Sequence, residues 1–273
     1  MSTSTAPRIV VGVADTPESE IAVRWGARYA QTTGGTVHLV HAFVWPLMGV
    51  DVDPVPGITG SGLRTAAESL LASAVEIAQE AAPGVRVTTA IEEGRRVDVM
   101  LEASESADVI AVGSRGLGRL MSLVVGSTGL ALASRSHCPV VVVRGDENTD
   151  GPIAVSYEPG EGGESAIRRG ADLAATYGTG LHVVIGVETP SADEADILQR
   201  TAAIARKGHP DLEVVPAEIG RSVHSARELI SASEGTRMIV IAARVAGESS
   251  RSAASQTGTV LQFANTPVWI ERG

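Results

Sequence analysis

The residues of this chain best suited to chemistry are glycines and hydroxyls rather than acids and bases. Val112-Gly113-Ser114-Arg115-Gly116-Leu117-Gly118-Arg119 is followed by Val125-Gly126-Ser127-Thr128, so Gly113, Gly116, Gly126 and Ser127 stand in the spacing G-x2-G-x9-G-S. Glycine lets backbone N–H groups approach an anion closely, and hydroxyls at a helix start lie beside free N–H groups that favour phosphate. The spacing reads as a phosphate cradle, with Arg115 and Arg119 placed to pair phosphate oxygens. It is not a P-loop, because no Gly-Lys-Ser/Thr follows, and it is not the dinucleotide fingerprint, which belongs after a first strand. The plainer alternatives are glycines that only make turns and loop arginines with no ligand.

Other polar groups offer less. No Ser-His-Asp order, Cys-His pair or paired carboxylate stands at a recognisable spacing, which makes a dedicated enzyme the weaker expectation. His38 and His182 fall inside expected strands without a metal-like cluster and are read as packing residues. Cys138, before a proline at a strand start, is read as a small apolar residue. Asp51 and Asp53 lie among prolines and fit a solvated lid or interaction loop better than a metal site.

The elements that must position the loop follow from pattern. Arg8 to Val13, Thr36 to Phe43, Val85 to Glu92, Asp108 to Gly113 and Pro139 to Arg144 are Val/Ile-rich runs bounded by Gly, Pro or Asp. Between them, Ile21, Trp25 and Tyr29 recur on one helical face from Pro17 to about Gln31; Leu63, Ala67, Leu70, Ala74, Ile77 and Ala81 do so from Gly62 to Ala82. Strands alternating with one-sided helices require crossover connections, hence parallel sheets with helices on both faces. In such sheets ligands bind beyond the carboxyl ends of the strands. If strands one and four are neighbours, the turn Ala14-Asp15-Thr16 faces the glycine loop, and His41-Ala42-Phe43 can wall a base.

The pattern is written twice. Gly145 to Gly151 is a polar linker, and Pro152-Ile-Ala-Val-Ser156 opens a second round; Thr36-Val-His-Leu-Val40 matches Gly180-Leu-His-Val-Val184 at a separation of 144 positions. Gly94-Arg95 matches Gly220-Arg221 at 126 and Pro139-Val140 matches Pro267-Val268 at 128, so the first round holds about 18 extra residues, the Pro/Gly/Asp-rich stretch Val44 to Gly60. Two domains, 1–147 and 148–273, are expected, each an open parallel five-stranded α/β sheet of Rossmann-like type. Val140 to Val143 and Val268 to Ile270 are apolar on both faces and are expected to pair with each other as an intrachain pseudo-dimer, with a homodimer left open. Val44 to Gly60 is expected to be mobile without ligand.

Composition narrows the partners. With 32 acidic and 22 basic residues the formal charge is −10, which disfavours nucleic acid and anionic lipid. No apolar run of 18 residues and no apolar leader after Met1 are present, and the single cysteine fits a reducing compartment; a cytoplasmic protein is expected. Aromatic residues make up 3%, so the core must be Val, Ile, Leu and Ala, as between parallel strands and helices.

Ile9-Val-Val-Gly-Val13 with Pro17-Glu18-Ser19, Leu39-Val40-His41-Ala42, Gly113-Ser114-Arg115-Gly116, Gly126-Ser127 and His137-Cys138-Pro139-Val140 together resemble the universal stress protein family, in its tandem form and its ATP-binding branch. The resemblance implies ATP, with or without Mg2+, as ligand, and a role in stress or dormancy. It places Gly113, Arg115, Gly116, Gly126, Ser127 and Thr128 at phosphates and ribose, Val112 beside the nucleotide, and the Ala42 backbone at adenine. Val13, Ala14 and Asp15 border the ribose and base. Two positions depart from the family: Ala14 stands where an Asp is usual, with Asp15 next, and Gly129 stands where a hydroxyl is common. The second half loses the cradle, with Ala242 opposite Gly113, Val245 opposite Gly116, Ser255 opposite Gly126, and Glu248 in the replacement loop. One ATP per chain, in the first half, is the expectation; a nucleotide-free interaction protein with a vestigial loop is one rival, and a slow ATPase, with weak ATP hydrolysis, is the other.

Overall fold

The computed structural model describes residues 6–43, 61–114, 127–145, 150–157, 160–185, 194–216, 229–231, 234–243 and 251–272. Val44 to Gly60, Arg115 to Gly126, Gly220, Arg221, Val245 and Glu248 lie outside these residues. The chain forms two compact units, Met1–Gly113 and Ser114–Gly273.

The first unit runs β1 (Arg8–Gly12), α1 (Pro17–Thr33), β2 (Thr36–Phe43), α2 (Ser61–Ala81), β3 (Arg86–Glu93), α3 (Arg96–Ala103) and β4 (Val109–Gly113). Its strands lie in the order β3-β2-β1-β4, parallel throughout. Ile9, Val10, Val11, Ile110 and Ala111 are fully buried, the unbroken apolar run expected of strands covered on both faces. The faces have different covers. A Cβ on Gly26 of α1 would stand 2.6 Å from Val11 Cγ2, whereas one on Gly12, pointing the other way, would meet Met100 of α3 at 3.3 Å. In α2 the buried stripe is Ala67, Leu71, Ala74 and Ala78, continued by Ala82 just past the helix end. Leu70, Ile77 and Ala81, expected on the same face as Ala67 and Ala74, flank the stripe half-buried.

The second unit holds α4 (Ser127–Arg135), β5 (Val140–Val143), β6 (Ile153–Tyr157), α5 (Glu161–Tyr177), β7 (Leu181–Ile185), α6 (Glu194–Arg206), β8 (Val214–Pro216), β9 (Met238–Ala242), α7 (Arg251–Phe263) and β10 (Val268–Glu271). Its order is β5-β10-β9-β6-β7-β8. The sequence repeat recurs in three dimensions. Ile9, Val10 and Val11 pair with Val109, Ile110 and Ala111; Ile153, Ala154 and Val155 pair in the same way with Met238, Ile239 and Val240. Both α1 and α5 have 17 residues and end on a glycine in the left-handed region, Gly34 at φ 68 and Gly178 at φ 64, where an L side chain would be strained.

One pairing in this unit is antiparallel: Val140 lies opposite Ile270, Val141 opposite Trp269 and Val142 opposite Val268. Val140 and Val268 are equivalent in the repeat, as are Val142 and Ile270, so the pairing is symmetric about Val141 and Trp269. This explains why α4 and β5, part of the first sequence repeat, group with the strands of the second.

Candidate functional site

The turn after β1 is built by the first residues of α1. Thr16 caps the helix, its hydroxyl accepting from the Ser19 N–H at 3.3 Å, with Pro17 in the first helical turn and Glu18 and Glu20 favourable to the helix dipole. Ser19 is buried. Its Oγ accepts the Ala14 N–H at 2.8 Å and donates to the Gly12 carbonyl at 3.4 Å, so one hydroxyl spans the turn. The Val13 N–H makes the last rung of the β1–β2 ladder, onto the Val40 carbonyl at 2.8 Å. His41 Nδ1 lies 2.9 Å from the Val13 carbonyl, which only accepts, so Nδ1 carries the proton.

The geometry has a consequence for Ala42. Backbone groups of Val40 face β1, so those of Ala42, two residues on, face the same way beyond the last rung. The carbonyl that a further rung from Ala42 would need is already held by His41. Ala42 is half-buried and presents its N–H and C=O beside the turn, while Asp15 is exposed and has no side-chain partner among the described residues.

Across β1 from β2 lies β4, ending at the buried Val112 and at Gly113. A Cβ on Gly113 would stand 2.3 Å from the Glu18 carbonyl oxygen and 2.9 Å from the Ser19 nitrogen. Only glycine permits this approach of strand to helix start. Close by in the chain, Glu18 Oε2 is buried without a hydrogen-bond partner among the described residues. The neighbouring strands β1 and β4 thus place Val13, Ala14, Asp15, Val112 and Gly113 at one end of the first unit, with Ala42 at the same end of β2.

In the second unit, Ser127 and Thr128 open α4. A Cβ on Gly129 would meet Val142 Cγ2 at 3.5 Å, so a side chain at that position points at β5. Arg115, Gly116, Arg119 and Gly126 lie outside the described residues. The pattern alone marks His41 only as part of a wall for a base and gives Ser19 and the Glu18 carboxylate no place in the site. The motif Pro17-Glu18-Ser19 was visible, but nothing in one segment reveals that its hydroxyl spans another turn.

The residues set aside as packing are tied into the fold. His38 Nδ1 donates to Thr88 Oγ1 at 2.8 Å, and that hydroxyl donates to the Val37 carbonyl at 3.3 Å. Burial, with Arg8 adding to it, pushes the His38 pKa below its ordinary value, against an opposing effect of Glu92. Cys138 is buried, with Ser136 Oγ donating to its carbonyl at 2.8 Å. Among the described residues no group of three His, Cys, Asp or Glu side chains could hold a metal ion, and no helix is long and apolar enough to cross a membrane.

Comparison with known proteins agrees with this architecture. The model of the universal stress protein family matches residues 6–144. Universal stress protein Rv2623 of Mycobacterium tuberculosis is 25% identical over 287 aligned positions, covering 97% of this chain and 96% of that one. Universal stress protein Rv2005c of the same species is 28% identical over 294 positions, with the same coverage. Among solved structures, a universal stress protein from Archaeoglobus fulgidus superposes with a TM-score of 0.78 at 18% identity, covering 98% of this chain and 97% of its own.

Proposed function

The chain belongs to the universal stress protein family, and on that premise we propose that its first repeat, 1–147, is an ATP-binding regulatory domain and that the second, 148–273, is a domain without a nucleotide site. The observation that carries the reading is the adjacency of β1 and β4. It brings the turn bearing Asp15 and the start of the glycine loop to neighbouring strand ends, the place where open parallel sheets bind ligands. In this reading the Ala42 backbone meets adenine, Asp15 replaces the family's usual aspartate at the ribose beside Val13 and Ala14, and Val112 borders the nucleotide. Gly113, Arg115, Gly116, Gly126, Ser127 and Thr128 take ribose and phosphates, with Mg2+ as an optional companion of the triphosphate. The protein acts in the cytoplasm, and its repeats form an intrachain pseudo-dimer through β5 and β10, with nucleotide occupancy biasing that pair.

A second reading, a nucleotide-free interaction protein, draws on a specific feature. Gly113 is required by its contact with α1 whether or not a ligand binds, and the Val13 and Ala14 N–H groups are already bonded within the protein. Calorimetric titration of the full chain with ATP separates the two. The ATP reading expects saturable heat at one nucleotide per chain, lost in Gly116→Val and kept in Val245→Gly; a flat trace at millimolar ATP favours the interaction protein.

A further inference from the structure

The two ends of the strand orders are defended unequally. In the second unit β8 is three residues long and finishes on Pro216, the short, proline-stopped form that discourages further pairing. In the first unit the outermost strand, β3, has eight residues, contains no proline, and pairs with β2 at every position from Arg86 to Glu93 without a bulge. Thr88 and Thr89 at its centre are exposed, and its charges stand only near its ends, Arg86 at one and Glu92 and Glu93 at the other.

Which backbone groups of β3 are free follows from one bond. The Gly94 N–H donates to the Phe43 carbonyl, so even-numbered residues of β3 turn their N–H and C=O toward β2. The odd-numbered residues Val87, Thr89, Ile91 and Glu93 turn theirs outward. An antiparallel partner must match outward residues with outward residues. If that partner is a second β3, the register with Thr89 opposite Thr89 pairs Val87 with Ile91 twice through backbone hydrogen bonds. It also sets Arg86 opposite Glu92 twice, in the non-hydrogen-bonded positions where side chains come closest. Sliding by one rung sets Val87 against Glu93 and Thr88 against Glu92 and loses both matches. Val87 and Ile91 lie in register with Val37 and His41 of β2, on the face opposite to Arg86 and Glu92, so each face of the joined sheet gains complementary neighbours.

We propose that β3 is a self-complementary interaction edge, and that two copies of this chain associate through antiparallel β3–β3 pairing centred on Thr89. The interface is isologous, each copy giving the same strand, and it requires no ligand. It is independent of the nucleotide site, since none of its residues belongs to that site.

The test is sedimentation equilibrium of the full chain at tens of micromolar. The wild type is a dimer. Arg86→Glu and Glu92→Arg each set like charges opposite one another and weaken association by at least about tenfold, and the double variant R86E/E92R recovers it. Thr89→Cys sits on the symmetry axis at a Cα separation of about 5.5 Å, within disulfide range, so mild oxidation links it into a covalent dimer. A monomeric wild type, a dimer indifferent to Arg86→Glu, a double variant that stays weak, or a Thr89→Cys chain that does not cross-link would each overturn the proposal.

Discussion

The two repeats begin alike and diverge where a ligand would bind. In the first, the helix start carries Glu18 and Ser19: Ser19 spans the preceding turn with its hydroxyl, and the backbone of both residues lies so close to Gly113 that no Cβ fits. In the second, the equivalent residues are Gly162 and Gly163, and the strand carries Ala242, whose Cβ is 3.5 Å from the place a Gly162 side chain would take. The helix cap differs too, since the Thr16 hydroxyl accepts the Ser19 N–H and Gly160, at φ 114, has no side chain to do so. The same fold therefore tightens one strand end and relaxes the other. The glycine before the loop is thus a packing requirement of the first repeat, on which any binding role is superimposed.

The largest difference between the two strand ends is expected at Gly113. Gly113→Ala forces a methyl against backbone atoms and is expected to destabilise by about 3 kcal/mol, while Ala242→Gly costs about 1 kcal/mol or less. Denaturant unfolding measures both, and equal costs would show that the two strand ends are packed alike.

Next comes a feature present only in the second repeat. Glu271 is buried on β10, accepting from Trp269 Nε1 at 2.7 Å and from Arg169 Nε at 2.9 Å, with the Arg169 guanidinium 5.1 Å over the indole. The first repeat has Trp25, Val141 and Val143 at the equivalent positions. Glu271→Ala leaves two donors without their acceptor and is expected to cost about 2 kcal/mol, less than a wholly buried pair because Arg169 is one-third exposed. Glu271→Gln should cost less, since its amide oxygen can still accept; equal losses would mean that packing, not the hydrogen bonds, carries the effect.

Ser19→Ala, which deprives the Ala14 N–H of its acceptor, is expected to cost about 1 kcal/mol, and Gly163→Ser should return no comparable gain. Thermal melts of the two variants compare the turns directly.

The smallest effect concerns His38. Its folded pKa lies below the ordinary 6.5, so its neutral form is favoured by the fold. Its contribution to stability is present above that value and is lost as pH falls from 6.5 toward the folded pKa. Glu92→Gln removes the opposing charge and should deepen the loss in melts taken between about pH 7 and 5. An unchanged pH profile in Glu92→Gln would exclude Glu92 as the group that limits the shift.

Much of this was legible in the chain. The Val/Ile runs at β1, β4 and β9 read as buried parallel strands because both of their faces are covered, and the matched histidines His38 and His182 and prolines Pro139 and Pro267 reveal the repeat. In the stripe of α2, Ala67 and Ala74 are buried as expected, while Leu71, Ala78 and Ala82 take the places expected of Leu70, Ile77 and Ala81. The roles of Ser19 and His41 were hidden because each acts on the backbone of a different segment, and no local pattern records such a contact. The symmetric register of β5 on β10 is likewise set by tertiary pairing, although two bare apolar strand segments announce that a partner is needed.

The proposal that nucleotide binds the first repeat alone is tested by native mass spectrometry of the full chain across an ATP titration. A single added nucleotide per chain is expected, one that disappears in Gly126→Val and persists in Val245→Gly. Two nucleotides per chain, or one that survives Gly126→Val, would contradict it.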